Sequence, residues 1–239
     1  MSAPRIFVTI PLKASTEVEL DREDAHHVAH VLRAQAGARV VLVSGGVAWD
    51  AEIARVSKRG VRAVVIGRSA ETSGELAVGV AVLQAMTKGA KFDEVVEKCV
   101  ELGARRIVPV TCARSYAQAG AAKLERWRRI ARAAAAQARR RIVPAVDPAR
   151  TWSDAIENEA LPILVAWEGA PAGSLDAAIA QIGKAQALSI AIGPEGSFTD
   201  DELDVARARG AYLVRLGPTI LRTETAAAAL LAALAAKEW

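Results

Sequence analysis

Apolar and polar residues alternate in two different patterns, which meet near residues 67–76. Before that point, short β-rich runs at 6–10, 39–43, 48–56 and 61–66 are separated by Ser44-Gly45-Gly46 and Lys58-Arg59-Gly60. Such Gly-containing clusters between apolar runs are turn signals. Within 48–56, Trp49, Ala51 and Ile53 alternate with polar neighbours, which predicts one buried strand face. A helical segment over about 22–35 interrupts the strands and stops before Gly37. Several short strands at this spacing predict a small barrel or sandwich. The polar stretch 68–75 reads as a linker.

Beyond the linker, the period switches between two and 3.6. Strands are expected at 76–84, 106–110, 161–167, 188–192 and 211–216. Helices are expected at 91–102, 121–140, 174–183, 200–209 and 223–237. Val95, Val96, Cys99, Val100 and Leu102 fall on one side of the first of these, and Gly103 stops it. Thr199 with Glu202 three residues on forms a capping box, and Gly210 is the matching stop. Regular strand–helix alternation predicts an α/β domain with a mostly parallel sheet. The expected domains are therefore 1–70 and 76–239.

Composition narrows the class. The chain has 239 residues, of which 52% are hydrophobic, so disorder is excluded. No apolar run reaches the ~20 residues that span a bilayer; the longest, 226–236, reads as a buried helix. The N-terminal stretch lacks the sustained apolar core of a signal peptide, which gives a cytoplasmic expectation. Cys99 and Cys112 fall in helix and strand surroundings, so free thiols are expected rather than a disulfide framework. His26 and His30 have a metal-like spacing, but nothing nearby completes a site; no metal is expected. Aromatics at 4% argue against a base-stacking surface.

The net charge of +4 matters through its placement. On a helix over 123–141, Trp127, Ile130, Ala131, Ala134 and Ala138 share one narrow face. Arg128, Arg132 and Arg139 share another, with Arg129 and Arg140 beside them, and only Glu125 offsets this charge. Two readings stay open: a solvated helix face, or a stripe that contacts nucleic-acid phosphates. Lys88 and Lys91 flank Gly89 at a strand-to-helix loop and are candidate phosphate contacts.

Two Gly-Pro loops follow strands and open helices, Gly193 to Phe198 and Leu216 to Ala226. In an open parallel sheet, loops at the carboxyl ends of strands build the ligand site. Neither loop has the dinucleotide or P-loop spacing, so a nucleoside-like ligand read by backbone groups fits better than phosphate cradling. Glu195 could merely favour a helix N-terminus, and Thr223 is placed to cap the last helix. Arg222 is less easily explained, because a charged side chain beside such a loop needs a partner or a ligand.

The segments GPEGSF, RLGPTILRTETAA, QAMTKGAKFDEVVEKCVELGARRIVPV and HHVAHVLRAQAG, in their respective places, resemble the RsmE family of ribosomal RNA methyltransferases. The resemblance covers essentially the whole chain. It implies a PUA-like β-barrel followed by a SPOUT-class α/β domain with a C-terminal trefoil knot. It further implies S-adenosylmethionine as cofactor, a homodimer, and methylation of uridine N3 in small-subunit ribosomal RNA, naked or in the 30S particle. Carried over, the cofactor pocket comprises Ala166, Trp167 and Glu168; Ile192, Gly193, Pro194, Glu195 and Gly196; and Leu216, Gly217, Leu221 and Thr225. Arg222 or Arg114 would stabilise charge developing on the uracil carbonyls, and Glu224 or Glu195 is the available base. Arg5, His27 and Arg33 match the family motif as RNA contacts. Ser197, Thr219 and Ala136 depart from the pattern, at positions usually glycine, basic and acidic. Action on transfer RNA, or ribosome binding without catalysis, remains open at this level.

Overall fold

The computed structural model describes residues 3–57, 60–71, 74–115 and 120–237. Contacts divide the chain into two compact units, 1–75 with 135–143, and 76–134 with 144–239.

The first unit is a five-stranded sheet ordered β1-β3-β4-β5-β2, with β1 Arg5–Phe7, β2 Glu17–Glu19, β3 Arg39–Ser44, β4 Val47–Ser57 and β5 Gly60–Arg68. Ser44 pairs with Val47 across Gly45 and Gly46, whose φ values are 56° and 78°. Two successive positive φ angles make the type I′ turn whose twist suits a hairpin, and only glycine adopts both without steric cost. Ile6, Val18, Leu20, Val28, Val40, Leu42, Ala51, Ile53, Ala63 and Val65 form the core. A register shift between Asp50 and Ala51 breaks the simple alternation in β4. Ala48, Ala51 and Ile53 are consequently buried while Trp49 is only half-buried, its ring beneath the Arg68 guanidinium. The helix expected over 22–35 is two short pieces, α1 Arg22–His26 and a π-helical turn His27–Val31. Arg33, at φ 51°, closes it.

The short segment 135–143 joins this unit because of two charges. Arg5 donates to the carbonyls of Arg139 and Arg140 and pairs with Glu71. Glu75 receives the Arg140 guanidinium at 2.5 Å and the amides of Arg141 and Ile142. A carboxylate that accepts this many bonds satisfies a guanidinium that would otherwise be costly to bury. Burial alone would raise the Glu75 carboxyl, but Arg140 and the two amides hold it below its ordinary value.

The second unit is a seven-stranded sheet in which every pairing is parallel, ordered β12-β10-β11-β6-β7-β8 with β9 also on β7. Its elements are β6 Gly79–Ala85, α2 Lys91–Glu101, β7 Arg106–Thr111, α3 Ala121–Gln137, β8 Ala145–Val146, β9 Arg150–Thr151 and α4 Trp152–Glu157. They continue with β10 Ile163–Ala166, α5 Ser174–Ile182, β11 Ala187–Ile192, α6 Asp200–Ala208, β12 Tyr212–Val214 and α7 Thr223–Ala235. Central strands such as β11 are buried along nearly their whole length, as parallel sheets covered on both faces require. The expected capping box forms, Thr199 and Glu202 each accepting the other's backbone amide. Cys99 and Cys112 are free and buried; desolvation, aided at Cys112 by Glu202, pushes both thiols up to about 12. Neither is a nucleophile at neutral pH. Among the described residues no helix is long and apolar enough to cross a membrane, and no cluster of metal-ligating side chains occurs.

Candidate active site

Strand order decides where the site lies. From β6 the chain moves outward through α2 to β7, whereas from β11, its neighbour, it crosses through α6 to β12 on the other side of β10. Connections that leave adjacent strands in opposite directions open a crevice beyond their carboxyl ends. Register brings a third loop to the same edge, since Ala166 is level with both Ile192 and Val214. The loops after β10, β11 and β12 therefore converge.

They enclose a cavity of ≈ 330 Å³. Of the residues expected to hold a cofactor, Ala166, Glu168, Ile192, Gly193, Pro194, Glu195 and Leu221 line it. Trp167 and Leu216 line an adjoining hollow of ≈ 80 Å³ that shares the Ala166 and Leu221 walls. Gly196 lies instead beneath Arg114, where an added Cβ would sit 3.2 Å from the Arg114 side chain. Gly217 borders a separate hollow beside Pro218, and Thr225 is exposed in the first turn of α7. Phe198, Ile220, Thr223 and Ala226 also line the main cavity, although the sequence reading gave them no binding role. For Phe198 and Ile220 the available signal was an apolar side chain in a glycine-containing loop. Gly193 shows why: a Cβ there would meet the Phe198 ring at 3.0 to 3.3 Å, so the backbone and the aromatic ring share one narrow space.

Thr223 does not cap α7. Arg222 occupies the N-cap position with no side-chain cap bond, while the buried Thr223 hydroxyl donates to the Gly193 carbonyl at 2.6 Å and accepts from Gln84 Nε2 at 2.9 Å. One hydroxyl thus ties the end of β6, the loop after β11 and the start of α7. Because a buried amide and carbonyl depend on it, this side chain serves packing better than a solvent-facing cap would.

Charge in the cleft is arranged around Lys91. Its Nζ lies 3.5 Å from Glu195 and 3.7 Å from Glu224, and Glu195 also accepts the Lys88 amide. Lys91, expected as a phosphate contact, lines the main cavity instead. Glu224 Oε2 is buried without a hydrogen-bond partner. Arg222 is exposed and lines the cavity. Arg114 donates to the Gly196 and Phe198 carbonyls, bracing the loop from outside. Glu202 fixes the neighbouring Ala113 amide at 2.7 Å while its other oxygen holds Thr199.

The candidate RNA contacts separate sharply. Arg5 and Arg140 are corrected: they are only 9% and 2% exposed, committed to Glu71 and Glu75. The helical stripe is shorter than expected, because α3 ends at Gln137 and Arg139 turns into the left-handed region at φ 55°. Arg139 is exposed but off the helix. Arg128 is exposed, pairing with Glu125 and the Val146 carbonyl, and Arg132 is half-buried. His27, Arg33 and Lys88 are exposed.

Residues 74–235 match the model of an RNA methyltransferase domain, and residues 20–66 match an RNA methyltransferase PUA domain. The ribosomal RNA small subunit methyltransferase E of Mycobacterium bovis is 33% identical over 95% of this chain and 88% of its own. Its Bacillus subtilis counterpart is 31% identical over 85% and 84%. The Neisseria gonorrhoeae enzyme of that name, solved bound to S-adenosyl methionine, superposes with a TM-score of 0.90 at 28% identity, covering 99% of this chain and 98% of its own. Matching both domains in order, with related sequences along nearly its full length, the chain belongs to the RsmE family of RNA methyltransferases.

Proposed function

We propose that the protein methylates N3 of a uridine in small-subunit ribosomal RNA with S-adenosylmethionine as donor. The observation that supports it most directly is the converged cavity. Its ≈ 330 Å³ lies in the range of small-molecule sites, roughly 300–1,000 Å³. The donor set suits this cofactor: Ile192, Phe198, Ile220 and Leu221 offer apolar walls for an adenine. Glu168 and Glu195 offer negative charge opposite a sulfonium and an ammonium. No phosphate-binding lysine motif is present, and this cofactor has no phosphates. When bound, S-adenosylmethionine supplies an electrophilic methyl group.

The chain's own residues do the positioning. Thr223 and Gln84 fix Gly193, and Arg114 fixes Gly196 and Phe198, so the cofactor loop is held before any ligand enters. A preformed site lowers the entropic part of the barrier. As uridine N3 loses its proton, negative charge spreads to the flanking carbonyls. Arg222, at the cavity wall and exposed, is the arginine that stabilises it. Arg114 serves the loop. Glu224, whose Oε2 is buried without a partner, accepts the proton. The same reading includes a homodimer, a cytoplasmic enzyme, the family's trefoil knot, and His27, Arg33, Arg128, Arg132 and Arg139 as RNA contacts.

Mass spectrometry of small-subunit RNA from a deletion strain is the test. Loss of one 3-methyluridine, restored by the cloned gene, is expected. An unchanged level refutes the assignment, and activity confined to isolated transfer RNA would redirect it.

A further inference from the structure

The segment Met86 to Ala90, which joins β6 to α2, serves the cofactor cleft through the Lys88 amide. It also forms one wall of a second cavity, of ≈ 230 Å³, lined by Met86, Thr87, Gly89, Phe92, Lys123 and Arg126 among others. Three observations there point to a ligand. Thr87 is 2% exposed and its Oγ1 has no hydrogen-bond partner, although buried hydroxyls are normally satisfied. The N-cap of α2, Ala90, makes no side-chain cap bond, and it lines this cavity. The first-turn amides of an uncapped helix attract anions. Lys123 and Arg126 are exposed and bring two cations to the lining. The one acidic side chain in the lining, Asp93, is already engaged by Arg126 at 2.6 Å and by the Trp127 indole at 3.1 Å. The aromatic rings of Phe92 and Trp127 are buried against each other, 2% and 3% exposed, so they offer no stacking face.

We infer that this cavity receives a phosphodiester group of the RNA substrate, with Thr87 Oγ1 donating to a phosphate oxygen and the net positive charge of the lining, Lys123 and Arg126 against Asp93, favouring it. This rests on the RNA-methylation reading and adds where the strand's backbone is gripped. It also shifts the grip: of the two lysines expected to hold phosphate, Lys91 lines the cofactor cleft, whereas Lys123 and Arg126 of α3 line this second cavity. A hydroxyl at the site adds geometry, while the lysine adds the salt-dependent part of the affinity.

The test measures equilibrium binding of labelled 30S particles across a salt series, with S-adenosylmethionine affinity followed in parallel by calorimetry. Lys123→Ala should weaken RNA binding roughly fivefold and reduce the salt slope by about 0.7–0.9. Thr87→Val should weaken it roughly threefold without changing the slope, while thermal stability holds or rises, because removing an unsatisfied buried hydroxyl does not destabilise. Both variants should bind S-adenosylmethionine as the unaltered protein does. RNA binding unchanged in both variants overturns the site while leaving the methylation reading intact. Failure of the unaltered protein to bind 30S particles overturns both. A Thr87→Val variant that melts early makes the hydroxyl structural and overturns its assigned role.

Discussion

Arg140 and Arg222 looked alike in the sequence, two arginines in basic or loop segments with no obvious partner. The fold treats them oppositely. Around Arg140, Glu75 collects the guanidinium and two backbone amides, and the side chain disappears from the surface. Around Arg222, the nearby carboxylates Glu195 and Glu224 are engaged by Lys91, and the arginine stays exposed at the cavity wall. Positive charge written in a sequence is available to a ligand only where no internal carboxylate has claimed it. Glu75 thus takes Arg140 out of the expected RNA-contact set, while Lys91 engages Glu195 and Glu224 and Arg222 stays exposed at the cavity wall.

The largest effect is expected from removing the claimant. Glu75→Ala removes the carboxylate that meets the buried Arg140 guanidinium at 2.5 Å and should lower unfolding free energy by about 3 kcal/mol in urea titration. A loss below about 1 kcal/mol would mean the cluster is peripheral. The same pair gives a pH dependence. Glu75 titrates lower in the folded chain than its ordinary value of about 4.3. Its contribution is therefore complete above that value and is lost as pH falls through the lower folded one. Acid unfolding of the Glu75→Ala variant should accordingly lack that component.

Arg222→Ala tests the other side. Turnover should fall about a hundredfold, with the melting temperature unchanged because the side chain is exposed. Undiminished turnover would remove Arg222 from the chemistry. The smallest effect is expected at Thr223, between the two extremes, where a polar group is buried for the sake of the cleft. Thr223→Val removes the hydroxyl that donates to the Gly193 carbonyl and one of the two acceptors of Gln84 Nε2, and costs about 1.5 kcal/mol. Cofactor affinity should weaken with it, measured by calorimetry, as Gly193 loses its tether. Lost stability with normal affinity would show that the tether serves packing alone.

The parallel sheet was legible because its strands are short apolar runs alternating with segments of helical period; β11 and the Thr199 capping box stand where expected. The converging loops were legible from Gly-Pro pairs at strand ends. What stayed hidden was set by long-range partners. No local pattern says that Glu75 will meet Arg140, or that the Thr223 hydroxyl will face Gly193 instead of its own helix. Strands β8 and β9 have two residues each, too few for any alternation. Arg139 ends α3 without a glycine, so the arginine stripe seemed one turn longer than it is. The π-helical turn at His27 kept an apolar pattern that reads as plain helix.

The placement of β11 has a consequence for synthesis. It pairs with β6, Ala187 opposite Gly79, and on its other side with β10. A nascent chain that has emerged only through β10 therefore holds one unpaired edge on β6 and two on β10, whose partners β11 and β12 are still inside the ribosome. Exposed edges of this kind are templates for misassociation. The sheet's centre, and the crevice above it, can close only when the last quarter of the chain is free, so the newborn protein acquires its cleft late.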